Sequence, residues 1–222
     1  MIAVLDYGIG NLRSAEKALQ RVGGDAVLTA DVDVARAAAG VVLPGVGAFG
    51  RCMEALQASG LDKVVLGAVE RGTPLLGICV GMQMLYDGSD ENPGVAGLGV
   101  LPGVLHLLPE GVKRPQMQWN LLEPAPGSAG ASGAGGLLDG LLDGLLDGLL
   151  DGLGAQPWVY FVHSYAAPIS DDVVATCDYG GPVAAAVVRG GVWATQFHPE
   201  KSGPVGLRLL ANFARRCEAP TP

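Results

Sequence analysis

The run Pro74-Leu75-Leu76-Gly77-Ile78-Cys79-Val80-Gly81 constrains the fold of this chain more than any other stretch. Pro74 to Ile78 reads as a short apolar strand, and Val80-Gly81-Met82-Gln83-Met84-Leu85-Tyr86 can begin a helix directly after it. The junction is Gly77-Ile78-Cys79-Val80-Gly81, a Gly-x-Cys-x-Gly. Its two glycines leave room for a sharp strand-to-helix turn with the cysteine at the apex. A thiol is a nucleophile only as thiolate, and a helix N-terminus favours that form.

The flanking sequence supplies a sheet for such a turn. Ile2 to Leu5 reads as a buried strand ended by Asp6-Tyr7-Gly8-Ile9-Gly10. Asn11 can cap a helix with apolar residues at Leu12, Ala15, Leu19 and Val22, stopped by Gly23-Gly24. Ala26 to Thr29 and Val41 to Leu43 are further strands, with helical stretches at 51–58 and 62–71. Alternating apolar strands and amphipathic helices predict an α/β fold with a mostly parallel central sheet covered on both faces. Beyond residue 98 the pattern changes. Val183 to Val188, the Arg189-Gly190-Gly191 turn and Val192 to Phe197 predict an antiparallel C-terminal hairpin, and Ser202 can cap a last helix to about Cys217.

The length of 222 residues fits a single domain, 1–222, and 49% apolar residues are ample for its core. Within it, residues 125–152 read as a low-complexity insertion: an Ala/Gly/Ser/Pro-rich stretch, then four Leu-Leu-Asp-Gly repeats over 137–152. On a helix a four-residue period drifts by about 40° per repeat, so the leucine pairs would spiral round the axis. Each repeat's glycine would also cost on the order of 1 kcal/mol relative to alanine. A net charge of −8 and the lack of Lys/Arg clusters argue against nucleic-acid and membrane partners. Cys52, Cys79, Cys177 and Cys217 form no C-x-x-C pair, which fits a reducing compartment with one reactive thiol. Met1 to Leu5 runs straight into an acidic residue, so no secretory leader is read, and no apolar run approaches the ~20 residues of a membrane span. The expectation is a cytoplasmic protein.

Phe197-His198-Pro199-Glu200 completes the chemistry that Cys79 begins. His198 and Glu200 lie two apart on what should be extended chain beyond a strand, which points both side chains the same way and lets the carboxylate orient the imidazole. Nucleophile, base and orienting acid make an acyl-transfer site. The N–H of Val80 can face a developing oxyanion, and Pro44-Gly45-Val46-Gly47 is the candidate loop for a second donor. A zinc reading of His163, His198 and Glu200 is weaker, since no ligand pair sits at helical spacing. Gly45-Val46-Gly47-Ala48-Phe49-Gly50 matches the dinucleotide fingerprint Gly-x-Gly-x-x-Gly, but the match is cheap among 35 glycines and follows the third strand rather than the first.

Five pieces, in order across nearly the whole chain, carry a family resemblance: Asp6-Tyr7-Gly8-Ile9-Gly10-Asn11, Leu43-Pro44-Gly45-Val46-Gly47-Ala48-Phe49, Gly77 to Gln83, Tyr160-Phe161-Val162-His163-Ser164-Tyr165, and Gln196 to Ser202. The chain resembles the flavodoxin-like class I (triad) glutamine amidotransferases, and among them the glutaminase subunits of imidazole glycerol phosphate synthase in histidine biosynthesis. The resemblance implies a Cys79–His198–Glu200 triad and an oxyanion hole from Val80, Gly45 and Val46. It places L-glutamine at Gly47, Gln83, Glu91, Ser164 and Tyr165. It implies no metal or cofactor, and a heterodimer with a (β/α)8 cyclase subunit met by Asn11, Trp119, Asn120, Tyr160 and Lys201. That subunit would take the ammonia to form imidazole glycerol phosphate and AICAR, and its docking would activate a weak glutaminase by turning one peptide of Pro44–Gly47. A glutaminase of pyridoxal phosphate synthesis is disfavoured by Pro44-Gly45-Val46-Gly47 and Glu200-Lys201-Ser202, and a non-catalytic scaffold by the intact triad. One departure is Pro115-Gln116-Met117-Gln118-Trp119-Asn120, where the family has Pro-His-x-Gly-Trp-Asn beside the presumed docking surface. The other is the Leu-Leu-Asp-Gly insertion.

Overall fold

The computed structural model describes residues 1–125 and 148–218. Short apolar runs make the first strands: β1 (Ile2–Leu5), β2 (Ala26–Thr29), β3 (Gly40–Gly45) and β4 (Leu75–Cys79). Helices α1 (Leu12–Arg21), α2 (Val32–Arg36), α3 (Phe49–Ser59) and α4 (Asp62–Glu70) connect them, and α5 (Val80–Met84) follows β4 with no intervening residue. The middle of the chain gives β5 (Gly88–Ser89), β6 (Val104–Leu107), β7 (Gln116–Leu121) and β8 (Glu123–Pro124). After the insertion come β9 (Trp158–His163), β10 (Tyr165–Ala166), β11 (Val173–Asp178), β12 (Pro182–Arg189) and β13 (Val192–Thr195). A 3-10 turn at Pro199–Lys201 leads into α6 (Gly203–Glu218).

The main sheet has the order β2-β1-β3-β4-β13-β12-β11-β8. β2, β1, β3, β4 and β13 run parallel, and β12, β11 and β8 extend the sheet antiparallel. Every residue of β1, β3 and β4 is buried, as expected of strands covered on both faces. The predicted hairpin is β12–β13, closed between Arg189 and Val192. Trp193 on β13 packs on Phe213 of α6 with ring centroids 5.9 Å apart, which fixes the last helix to the sheet. A separate β7–β9 pair and a small β10-β6-β5 sheet stand beyond the C-terminal ends of the parallel strands.

Local expectations fail where a side chain finds a better partner. Asn11 occupies the N-cap of α1, but with ψ 53° it caps no backbone N–H; its Oδ1 accepts the Ser14 hydroxyl at 2.8 Å instead. Helix α2 has no signal in the apolar pattern, yet Asp31 caps it by accepting from the N–H groups of Asp33 and Val34.

Most of the repeat segment lies outside the described residues, but its last copy, Leu149-Leu150-Asp151-Gly152, is inside. Leu149 and Leu150 are buried in the core, and Asn212 of α6 donates through Nδ2 to the carbonyls of Leu149 (3.0 Å) and Asp151 (2.9 Å). A leucine pair that would spiral along a helix is thus seated by a turn with Gly148 at φ 76° and Gly152 at φ 67°, conformations open to glycine. Asn212→Ala leaves two buried carbonyls without this donor; the expected loss is about 1–3 kcal/mol in urea unfolding, with the same fold by circular dichroism.

Candidate active site

Cys79 sits at the apex of the β4–α5 turn with φ 55° and ψ −111°, the one non-glycine residue with positive φ among the described residues. Such a conformation costs roughly 1–3 kcal/mol and persists only where the surroundings enforce it. Here they do. A β-carbon on Gly81 would collide with the Leu43 carbonyl oxygen, and one on Gly77 would come within 3.0 Å of the Met82 backbone. One on Gly45 would reach the Gly81 nitrogen at 2.8 Å. β3 and the start of α5 are in backbone contact, and Gly45 is the register partner of Cys79.

His198 and Glu200 follow β13, but not on extended chain. Pro199–Lys201 forms a 3-10 turn, and it is this turn that folds Glu200 back so that Oε1 accepts from His198 Nδ1 at 2.8 Å, with both side chains almost wholly buried. The bond commits Nδ1 and leaves Nε2 for the cleft. Ser202, predicted as a helix cap, instead clips this turn: its hydroxyl donates to the His198 carbonyl at 2.6 Å and accepts from the Tyr160 N–H at 3.0 Å. The His198 N–H donates to the Tyr160 carbonyl at 3.0 Å. Burial alone would lower the His198 pKa, but Cys79 and Glu200, as polar partners and as charges, outweigh it and hold the imidazole at about 10. Nε2 has no partner at ordinary hydrogen-bond geometry, so the Cys79 interaction is one of charge and proximity rather than a formed bond.

A cleft of about 260 Å³ opens at Cys79 and His198, walled by Val46, Gly47, Val80, Gln83 and Glu91 on one side and by Ser164 and Tyr165 on another. This size admits a small molecule such as an amino acid. Gln83 spends its amide N–H groups on the Tyr165 carbonyl (3.1 Å) and Gln196 Oε1 (3.0 Å). Glu91 accepts from the Phe49 N–H at 2.8 Å, and Asn92 Oδ1 accepts from the Gly50 N–H at 2.8 Å. A carboxylate therefore already occupies the start of α3, where the dinucleotide fingerprint would have placed a phosphate. His163 donates through Nδ1 to the Tyr165 carbonyl at 2.9 Å, and burial drives its pKa down to about 4.

The Pro44–Gly47 segment is held from behind by two residues that no motif chemistry singled out, Tyr7 and Cys52. The Tyr7 hydroxyl donates to the Pro44 carbonyl at 2.5 Å, and the Cys52 thiol to the Val46 carbonyl at 3.3 Å. Burial pushes both groups towards their neutral, donating forms. These bonds orient the peptides on either side of Gly45–Val46, the peptide whose N–H belongs to Val46.

Of the residues expected at a partner, Asn11 and Lys201 are exposed, Trp119 is 48% exposed, and Tyr160 meets it edge-on at 6.1 Å. Met117 beside them is 61% exposed. Asn120 is committed within its own chain, donating to the Asp178 carbonyl at 2.9 Å and accepting from the Leu121 N–H. The two departures in this strand separate. Gln118 is on the surface, whereas Gln116 is fully buried with Nε2 directed to Cys177 Sγ at 3.7 Å, so it does not lie on the outer face.

The two histidines predict opposite pH dependences. A histidine raised from about 6.5 to about 10 contributes its full stability below about pH 6.5 and loses it as pH rises through 10, so His198 makes the urea midpoint fall between pH 7 and 10. His163, lowered to about 4, removes stability as pH falls from about 6.5 towards 4. Unfolding of Glu200→Gln and His163→Gln across this range checks both: the first should flatten the alkaline fall, the second the acidic one.

The comparisons agree with this geometry. The family model "Glutamine amidotransferase class-I" matches residues 3–217. The chain is 45% identical over 214 residues to the imidazole glycerol phosphate synthase subunit HisH of Methanothermobacter thermautotrophicus, covering 96% of this chain and 97% of the relative. It is 45% identical to the same subunit of Deinococcus radiodurans, covering 96% and 93%. Among solved structures it is similar to a glutamine amidotransferase (TM-score 0.71, 22% identity, 98% and 99% of the two chains) and to PurLQS from Thermotoga maritima (TM-score 0.64, 19% identity, 96% and 97%). Fold, sequence and the strained cysteine elbow together identify the chain as a member of the class-I glutamine amidotransferases, in the family of the imidazole glycerol phosphate synthase subunit HisH.

Proposed function

We propose that this chain is the glutamine amidotransferase subunit of a cytoplasmic imidazole glycerol phosphate synthase, acting in histidine biosynthesis as a heterodimer with a (β/α)8 cyclase subunit. The observation that carries this reading is a cysteine forced into positive φ beside a buried, carboxylate-oriented histidine, in a chain 45% identical along its length to HisH subunits.

The chemistry follows from the residues. Cys79 thiolate attacks the side-chain amide carbon of L-glutamine, whose α-substituents lie against Gly47, Gln83, Glu91, Ser164 and Tyr165. The Val80 N–H, with one from Gly45 or Val46, takes the oxyanion. The His198 imidazolium gives its Nε2 proton to the departing nitrogen, the C–N bond breaks, and ammonia leaves with a glutamyl thioester behind it. Neutral His198 then takes a proton from water, which adds to the thioester and releases glutamate and the Cys79 thiolate. Glu200 holds the ring throughout. No electron changes hands, so these steps need no cofactor.

Ammonia passes to the cyclase subunit, which forms imidazole glycerol phosphate and AICAR. The exposed Met117 and Trp119, with Tyr160 packed on Trp119, and the exposed Asn11 and Lys201 support a docking face. Partner binding there can reach the Gly45–Val46 peptide, which has held peptides on both sides and Gly47 at φ 95°, a conformation open to glycine, after it.

The test is glutamate release from L-glutamine, with and without the cyclase subunit and its nucleotide ligand. Wild type should be slow alone and at least about tenfold faster in the complex, and Cys79→Ala should fall to background, a loss of order 10⁴ or more. Undiminished release by Cys79→Ala would overturn the reading.

A further inference from the structure

Gln196 is fully buried at the end of β13, its N–H anchored on the Ala185 carbonyl at 2.9 Å. A primary amide in such a place is costly unless its groups are used. Its Oε1 accepts from Gln83 Nε2 at 3.0 Å, and its Nε2 points at Cys79 Sγ at 3.8 Å. Gln83 in turn donates to the Tyr165 carbonyl at 3.1 Å. Both donors of Gln83 are thereby spent, and its Oε1 is the atom left to the cleft that Gln83 lines. Donation runs outward from Gln83, to the Tyr165 carbonyl on one side and through Gln196 to Cys79 Sγ on the other, where the sulfur also faces the Val162 carbonyl at 3.8 Å.

We propose that Gln196 is a positioning residue that donates to the Cys79 thiolate and, by accepting from Gln83, fixes that residue with its carbonyl oxygen towards the substrate. The proposal rests on Cys79 being the nucleophile of the reaction above. A neutral thiol gains little from an N–H at this distance, whereas a thiolate forms a charge-assisted bond, so the contact favours the reactive form. The same amide makes the cleft wall at Gln83 a hydrogen-bond acceptor, suited to an ammonium group and not to a second carboxylate. Nucleophile and ammonium subsite are set by one side chain.

The experiment is alkylation of Cys79 by iodoacetamide in the full-length chain between pH 5 and 9, read by peptide mass mapping, without glutamine. The titratable groups facing the sulfur are His198 from the turn after β13, Tyr7 after β1 and Cys52 on α3, with His163 and Glu91 on the cleft wall. All are unchanged in the variants. Gln196→Leu removes the donor, and Gln196→Glu keeps the shape but puts a carboxylate against the sulfur. Each should slow alkylation at pH 7 by about tenfold and move the reactivity profile to higher pH, the glutamate further. Gln83→Leu, at a residue that makes no hydrogen bond to Cys79, should slow alkylation about two- to threefold because Gln196 loses its anchor. A profile superimposable on wild type in Gln196→Glu, or in Gln83→Leu, overturns the proposal. A wild-type chain that alkylates as described but releases no glutamate in the complex overturns the glutaminase reading instead, and leaves the hydrogen-bonded chain standing.

Discussion

Backbone contact between β3 and the first turn of α5 is the constraint on which the rest of the site depends. The helix can begin on the residue after Cys79 only because nothing separates Gly81 from the Leu43 carbonyl. Were Gly81 or Gly45 to bear a side chain, the turn would open and Cys79 would relax out of its positive-φ conformation. The strain is small beside the burial of β3 and β4, whose residues are all removed from water. A core of this kind can hold one unfavourable conformation at its edge and place the sulfur where a cleft, a histidine and the Val46–Gly47 loop meet.

The His198 imidazole is secured by a different device. His198 lies beyond the last residue of β13, where sheet pairing no longer controls the backbone. Its N–H and its carbonyl are instead tied to Tyr160, directly in one case and through Ser202 in the other. Tyr160 also carries the ring that packs on exposed Trp119. The strand that ties the His198 backbone therefore also packs on the exposed Trp119 of β7, and displacement of β9 would be felt at His198 within one hydrogen bond.

The sequence was legible where one local rule sufficed. Four apolar runs defined four of the five parallel strands; the fifth, β13, was legible only as an arm of the hairpin. Gly77 and Gly81 announced the elbow, and the Gly190-Gly191 pair announced the hairpin. It misled where two local interactions compete. Ser202 has the right residue type for a cap but spends its hydroxyl on His198 and Tyr160. Extended chain was expected at Pro199, yet a 3-10 turn forms. The buried glutamine at 196 was in plain view as a polar residue in an apolar strand, but which polar groups it meets depends on Gln83, more than a hundred residues away.

By itself the sequence determined the chemistry: a thiol on a glycine-flanked turn, an imidazole with a carboxylate two residues on, and a mostly parallel sheet to carry them; the order of the strands came from the structure. Those are matters of residue type and short-range geometry. Only the tertiary structure decided which groups hold that chemistry in place. Tyr7 and Cys52 behind the Pro44–Gly47 segment, Ser202 behind His198, and Gln196 behind Cys79 and Gln83 all act across strands that sheet pairing brings together. A hydrogen bond has an angular and distance tolerance of a fraction of an ångström, and contacts of that kind are fixed by packing, which sequence periodicity does not encode.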